Sequence, residues 1–208
     1  MKKVLCILFA IMLILIPSSC SNANGYENII NSFCYSIENS DRDALVSLLD
    51  IKNIERAFCS FSQGSSLKSA SGTCSLLKYN RQEDFNSFCL DIENSFGRNY
   101  SVMHNRIAPA ENGIDLARLK KLRCLKNEKE SPILTDFLNS FIDELEEILI
   151  LNTTLVIKSK SKKLSSCLET TFHLYKANGR WYLDYINYSD IVTPNLLDIV
   201  EEMLIKRN

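Results

Sequence analysis

A histidine, two tyrosines and an aspartate lie close together near the end of the chain, at His173, Tyr175, Tyr182 and Asp184. The dipeptide Asn178-Gly179 between them predicts a hairpin with a two-residue turn, because both turn positions need positive φ. In that hairpin His173 faces Asp184, and Tyr175 faces Tyr182. A His–Asp pair beside phenols can carry out general acid–base catalysis when it lies in a cavity.

The same four side chains also fit the solvated face of a sheet. Cross-strand pairs of this kind are common there, and Tyr and His supply amphipathic contact area for a partner. We therefore expect His173, Tyr175, Tyr182 and Asp184 to form a partner surface. The opposite face, which carries Trp181, is expected to pack on helices because it holds the larger apolar set.

Cysteine is the other reactive residue type, with 8 in the chain. An even set of six remains once Cys6 and Cys20 are set aside, and in an exported chain such a set is typical of disulfides. The alternative is buried free thiols. The candidate disulfide cysteines are Cys34, Cys59, Cys74, Cys89, Cys124 and Cys167. No C-x-x-C pair occurs and the only histidines are His104 and His173, so we predict no metal site.

Established catalytic and nucleotide-binding motifs are missing from the sequence. It contains no G-x-S-x-G, no G-x-x-x-x-G-K-[ST], no G-x-G-x-x-G and no H-E-x-x-H. The formal net charge is −1, and removal of Lys2 and Lys3 takes it to −3 (−1 minus 2). We therefore predict a protein that is not an enzyme, has no cofactor and does not bind nucleic acid.

The N-terminus predicts export. Lys2 and Lys3 precede the apolar run Val4–Ile16, which is too short to anchor stably in a bilayer and is typical of a secretory signal. Small residues before Cys20 resemble a bacterial lipobox, which predicts a signal peptide over residues 1–19 and a lipid such as palmitate on Cys20. The alternative is cleavage after Ala23, with a signal over residues 1–23 and a soluble secreted product.

Two ten-residue segments, 31–40 and 86–95, share eight identities, and a fainter third copy begins at Asn139. Both segments place apolar residues at helical spacing. They indicate either a duplicated helical unit or two similar amphipathic helices. Duplication would make the protein a helical-repeat interaction module.

The remaining elements predict a single α+β domain over residues 24–208. A helix is expected from the cap at Ser40–Asp43 to Phe58, and a basic helix through Arg118 follows Asn112-Gly113. An acidic helix, which we expect to pair with the basic one, runs from Ser131-Pro132 through Leu149. Strands follow over residues 153–160 and in the hairpin 168–186, and a helix opens at Thr193-Pro194. The fold class is thus N-terminal helices, a three-stranded antiparallel meander and a closing C-terminal helix.

Two stretches, residues 33–49 and 172–184, resemble the nuclear transport factor-like superfamily as it occurs in small bacterial lipoproteins. The first resembles the opening helix pair of that family, and the second resembles its late hairpin with Gly179-Arg180-Trp181. The resemblance implies a curved sheet wrapped around helices to form a cone with a pocket. The long helical middle expected over residues 82–150 departs from the family pattern.

Together these features predict an exported, lipid-anchored binding domain at the cell envelope. Its partners would be the membrane, through the lipid on Cys20, and a protein or small-molecule ligand. The alternatives are a small-pocket enzyme that uses His173 and Asp184, and the helical-repeat module.

Overall fold

The computed structural model describes residues 25–63, 82–110, 114–122, 132–187 and 195–205, and within them the protein is α+β. Seven helices occur in these ranges: α1 Gly25–Glu38, α2 Arg42–Val46, α3 Ile51–Gln63, α4 Gln82–Phe96, α5 Leu116–Lys121, α6 Pro132–Glu144 and α7 Leu196–Ile205. Four strands form one sheet: β1 Tyr100–Pro109, β2 Leu145–Ser159, β3 Ser165–Ala177 and β4 Arg180–Ile186.

The sheet is antiparallel throughout, in the order β1-β2-β3-β4. The last three strands are the predicted meander, but the prediction of three strands missed β1 and placed its residues in the helical middle. The pairing of β1 with β2 shifts by one residue between His104 and Ile107. This irregularity breaks the apolar–polar alternation by which a strand is recognised from sequence.

Strand β2 begins at Leu145, immediately after α6 ends, so the prediction that the acidic helix continues to Leu149 was wrong. Ile148 pairs with Tyr175 and Leu149 with Leu174 in the sheet. A run of apolar residues fits a helix and a buried strand equally well, and here pairing with β3 decides in favour of the strand.

The helix expected from Ser40 to Phe58 is two helices, each begun by an aspartate. The side chain of Asp41 accepts a hydrogen bond from the backbone N–H of Ala44 and starts α2. Asp50 accepts a bond of 3.1 Å from the backbone N–H of Asn53 in the first turn of α3. Aspartate at such positions satisfies backbone donors that the first helical turn leaves free.

The predicted two-residue turn is confirmed. Ala177 pairs with Arg180, and φ is 51° at Asn178 and 75° at Gly179. Positive φ at both central residues matches the strand twist that a tight hairpin requires.

Helices pack on both faces of the hairpin. On one face, Phe172 meets Phe33 of α1 edge to face at 5.3 Å between ring centroids. On the other face, Tyr175 meets Phe141 of α6 in the same manner at 5.5 Å. Trp181 is partly buried on the α1 side, with Tyr26 at 6.1 Å. The sheet is therefore a central layer with helices on both sides, and each face of the hairpin is at least partly covered by a helix.

The two similar segments both form helices and bury the same side. Ile30, Cys34 and Ile37 of α1 are buried, as are the corresponding residues Phe85, Cys89 and Ile92 of α4. The elements that follow differ, because α1 leads into helix α2 and α4 leads into strand β1. The two segments are therefore similar as single helices, and the similarity does not extend to the elements that follow them.

Replacing Phe172, which is 0% exposed, with alanine should lower the free energy of unfolding by about 3–5 kcal/mol, because the change leaves a cavity against Phe33. Urea denaturation measures the loss. Leu164→Ala is the control, since that side chain is 44% exposed and its removal should cost little. Equal effects of the two substitutions would contradict the assignment of Phe172 to the core.

Candidate functional site: a cleft around His173

A cleft of about 750 Å³ lies between the sheet and the helices α5 and α7. Its floor comes from β2 and β3, and α7 supplies two acidic residues. The polar side chains that line it are Arg118, Asn152, Thr171, His173, Asp198 and Glu201. Concave sites of this size with a few polar groups are the usual form of small-ligand sites in proteins.

His173 is partly buried in this cleft. Its ring lies edge to face against Tyr185, with 5.1 Å between centroids. The Nδ1 atom is buried and has no hydrogen-bond partner among the described residues. Burial lowers the pKa of His173 below its usual value, although the negative charge of Asp198 opposes the shift. The ring is therefore neutral at pH 7, with one donor and one acceptor nitrogen.

The predicted pairing of His173 with Asp184 is wrong. The register shifts between His173 and Leu174, so that Tyr185 faces His173 and Leu183 faces Leu174. Asp184 is the extra residue between Leu183 and Tyr185 on β4, as in a β-bulge. A one-residue shift of this kind redirects a side chain away from its expected position on the sheet.

Asp184 instead holds the start of α7. Its carboxylate is buried and accepts hydrogen bonds from the backbone N–H groups of Leu196, at 2.7 Å, and Leu197, at 3.2 Å. The backbone N–H of Asn195 donates to the carbonyl oxygen of Asp184 at 3.2 Å. Carboxyl oxygens at this end of a helix satisfy backbone donors that the first turn leaves free. Asp184 thereby positions α7, and with it the cleft residues Asp198 and Glu201.

Tyr175 is likewise not a surface residue, since it is 1% exposed. Its hydroxyl donates to Oδ2 of the buried Asp50 at 3.2 Å. Burial and the nearby carboxylates raise the pKa of Tyr175 well above its usual value. The expected partner surface is thus wrong for Tyr175 and Asp184, because α6 and α7 cover them.

Tyr182 keeps partial exposure but lies away from His173. It lines a separate cavity of about 520 Å³ with Asp50 and Arg180. The Arg180 guanidinium lies over the Tyr182 ring, 5.2 Å from its centroid. The structure therefore does not bring the four predicted site residues together at one surface.

The cleft contains an ion pair between helices that are distant in sequence. Arg118 of α5 lies 3.3 Å from Glu201 of α7. We expected this basic helix to pair with the acidic residues around α6, but two of those have other partners. Glu144 bonds Arg56 at 3.0 Å, and Glu146 bonds Lys176 at 3.2 Å.

Four of the candidate disulfide cysteines lie in the described residues, and none of them is bonded to another. Cys34 and Cys89 are buried, whereas Cys59 and Cys167 are exposed. Burial raises the pKa of Cys34 to about 12, which keeps it a neutral thiol. The other two candidates, Cys74 and Cys124, lie outside the described residues, so disulfides that involve them stay a prediction.

The predicted signal peptide and Cys20 also lie outside the described residues. Within the described ranges, no helix has the length and apolar character needed to cross a bilayer. The same ranges hold no group of three or more His, Cys, Asp or Glu side chains arranged to bind a metal ion.

A scan of protein-family models found no matching family, and searches of curated proteins and solved structures found no significant match. The resemblance to the nuclear transport factor-like superfamily therefore stays a prediction.

Sequence reasoning found His173 but missed Arg118, Asp198 and Glu201 as its companions. Each of the three is an ordinary charged residue on the polar side of its helix. The predicted apolar side is confirmed for α7 and, as far as Leu122, for α5, whereas Leu125 lies outside the described residues. No local pattern sets the three charged residues apart, because they meet only when α5 and α7 pack beside the sheet.

Asp184 should make the stability of the protein depend on pH. Burial raises its pKa from 3.8 to about 7, against the opposing effect of the hydrogen bonds from Leu196 and Leu197. Below pH 3.8, the pKa in the unfolded chain, Asp184 is protonated in both the folded and the unfolded state. Between pH 3.8 and about pH 7, the pKa in the folded protein, it is protonated only in the folded state. The contribution of Asp184 is therefore full at low pH and is lost as pH rises toward 7, at up to about 1.4 kcal/mol per pH unit.

Asp184→Asn removes this titration, and the comparison with wild type isolates it from the other carboxyl groups. Relative to the variant, wild type should lose stability between about pH 4 and pH 7 in chemical denaturation. A stability difference that is constant across this range would show that Asp184 keeps the same protonation state in the folded and unfolded chains.

Proposed function

We propose that this protein is an exported, lipid-anchored domain of the cell envelope whose cleft around His173 binds a small polar ligand without chemical conversion. The proposal rests on one observation above all: a concave site of about 750 Å³ that brings the His173 ring together with Arg118, Asp198 and Glu201. A few polar groups that converge in a concave site beside apolar residues are the usual arrangement for binding a small ligand.

The environment of His173 favours binding over catalysis. A histidine that acts as a general base is usually oriented by a carboxylate or another acceptor on its second nitrogen. Here Asp184, the expected orienting group, bonds the backbone of α7, and Nδ1 has no partner among the described residues. None of the four cysteines in the described residues lines the cleft, so none of these four thiols supplies a nucleophile to it.

Export and the lipid anchor are proposed from the sequence of the first twenty residues. The family resemblance belongs to the same proposal, because a cleft beside a sheet with helices is the arrangement that it implies.

Cys20 should carry a lipid. Labelled palmitate supplied to a bacterial host should enter the wild-type protein and not Cys20→Ala, because the thiol is the only attachment point in the proposed lipobox. Cys34→Ala is the matched control, since that thiol is buried in the fold and should not affect labelling. Equal labelling of wild type and Cys20→Ala would rule out the anchor.

The His173 ring should report ligand binding directly. The chain has only two histidines, so two imidazole signals are expected in a carbon-13 NMR spectrum, and His104→Gln assigns them. Small molecules extracted from a cell envelope should shift the His173 signal and leave the His104 signal in place. His104 is the matched control, because its Nδ1 atom is likewise buried without a partner among the described residues but the residue does not line this cleft. Shifts of both signals, or of neither, would contradict a ligand site in this cleft.

A further inference from the structure

The charges around His173 do not balance. Arg118 and Glu201 neutralise each other across 3.3 Å. The Asp198 carboxylate lines the same cleft and forms no hydrogen bond or ion pair with another described residue. The His173 ring is neutral at pH 7 because burial lowers its pKa. Among the described residues that line the cleft, the net charge is therefore one negative unit, located on Asp198.

Its hydrogen-bonding groups complement a donor. A carboxylate accepts hydrogen bonds only, and a neutral imidazole presents one acceptor nitrogen. Asn152 and Thr171 are already bonded to each other, with the Thr171 hydroxyl donating to Oδ1 of Asn152 at 2.9 Å. Among the described lining side chains, Asp198 is therefore the carboxylate that has no partner, and the buried Nδ1 atom of His173 lacks one as well.

We propose that the cleft selects a small organic cation, with its ammonium group against Asp198. The proposal deepens the binding function above and depends on it. An ammonium group carries three donors and one positive charge, which matches an unpaired carboxylate beside an imidazole acceptor. Apolar parts of the ligand would contact Ile114 and Ile150, which also line the cleft.

An anion fits the cleft less well. Of the described lining residues, Arg118 supplies the cationic side chain. It is paired with Glu201, and its side chain is 58% exposed. An anionic ligand would have to break that pair and also approach the charge of Asp198. Like charges brought close together in a partly buried site repel strongly.

Three probes of the same length separate charge from size: butylamine, butan-1-ol and butyrate. Each is titrated into the full mature chain while the assigned His173 imidazole signal is followed. Butylamine should bind about tenfold more tightly than butan-1-ol, which corresponds to about 1.4 kcal/mol. Butyrate should bind more weakly than both.

Two substitutions test the role of charge independently. Asp198→Asn should weaken butylamine binding about tenfold, whereas the matched control Asp136→Asn, at an exposed position of α6, should leave it unchanged. Glu201→Gln releases the positive charge of Arg118, so it should weaken butylamine binding and strengthen butyrate binding. Circular dichroism confirms that each variant is folded before its affinity is compared.

Tighter binding of butyrate than of butylamine to the wild type would overturn the inference. So would unchanged butylamine affinity in a folded Asp198→Asn variant, or no response of His173 to any butylamine concentration. If envelope extract still shifts the His173 signal in that last case, the cation preference fails while the proposed ligand site stands. If neither extract nor probe shifts it, both proposals fail.

Discussion

The bond between the Asp184 carboxylate and the start of α7 is the interaction on which the architecture of the cleft depends. It joins the last strand to the last helix through two backbone N–H groups, at 2.7 and 3.2 Å. The register shift in the hairpin makes it possible, because Asp184 is the residue left over between two paired positions. Without that shift Asp184 would face His173, and α7 would lack the acceptor oxygens that satisfy its free donors.

A second buried aspartate follows the same physical logic at the other end of the hairpin. Asp50 accepts a hydrogen bond from the backbone of Asn53 in α3 and another from the hydroxyl of Tyr175 in β3. The Asn53 amide and Arg56 then reach Glu144 at the end of α6. Both aspartates therefore tie a helix start to the sheet, and burial of these carboxylates is tolerated because each accepts at least two hydrogen bonds.

These two connections explain why the His173 side of the sheet has separate regions of different character. Around Tyr175, helices α3 and α6 cover the sheet, and the polar groups there are bonded among themselves. Around His173, the cleft lies between the sheet and helices α5 and α7, and the Asp198 carboxylate that lines it lacks a partner among the described residues. Buried atoms without a partner among the described residues also occur at His104, Thr153 and Asn195, which are not among the described residues that line this cleft.

The sequence by itself determined the features that depend on neighbouring residues. The Asn178-Gly179 turn is such a feature, because positive φ is a property of those two residues. So is the apolar side of α7, where Leu196, Leu197 and Val200 are buried at helical spacing as expected. The α+β class and the three strands from β2 to β4 followed from the same periodicities.

Only the tertiary structure decided the start of β2 at Leu145, the existence of β1, the position of Asp184 and the assembly of Arg118, Asp198 and Glu201 around His173. These features depend on which distant segment supplies a hydrogen bond or a charge, and periodicity along one segment contains no information about that partner.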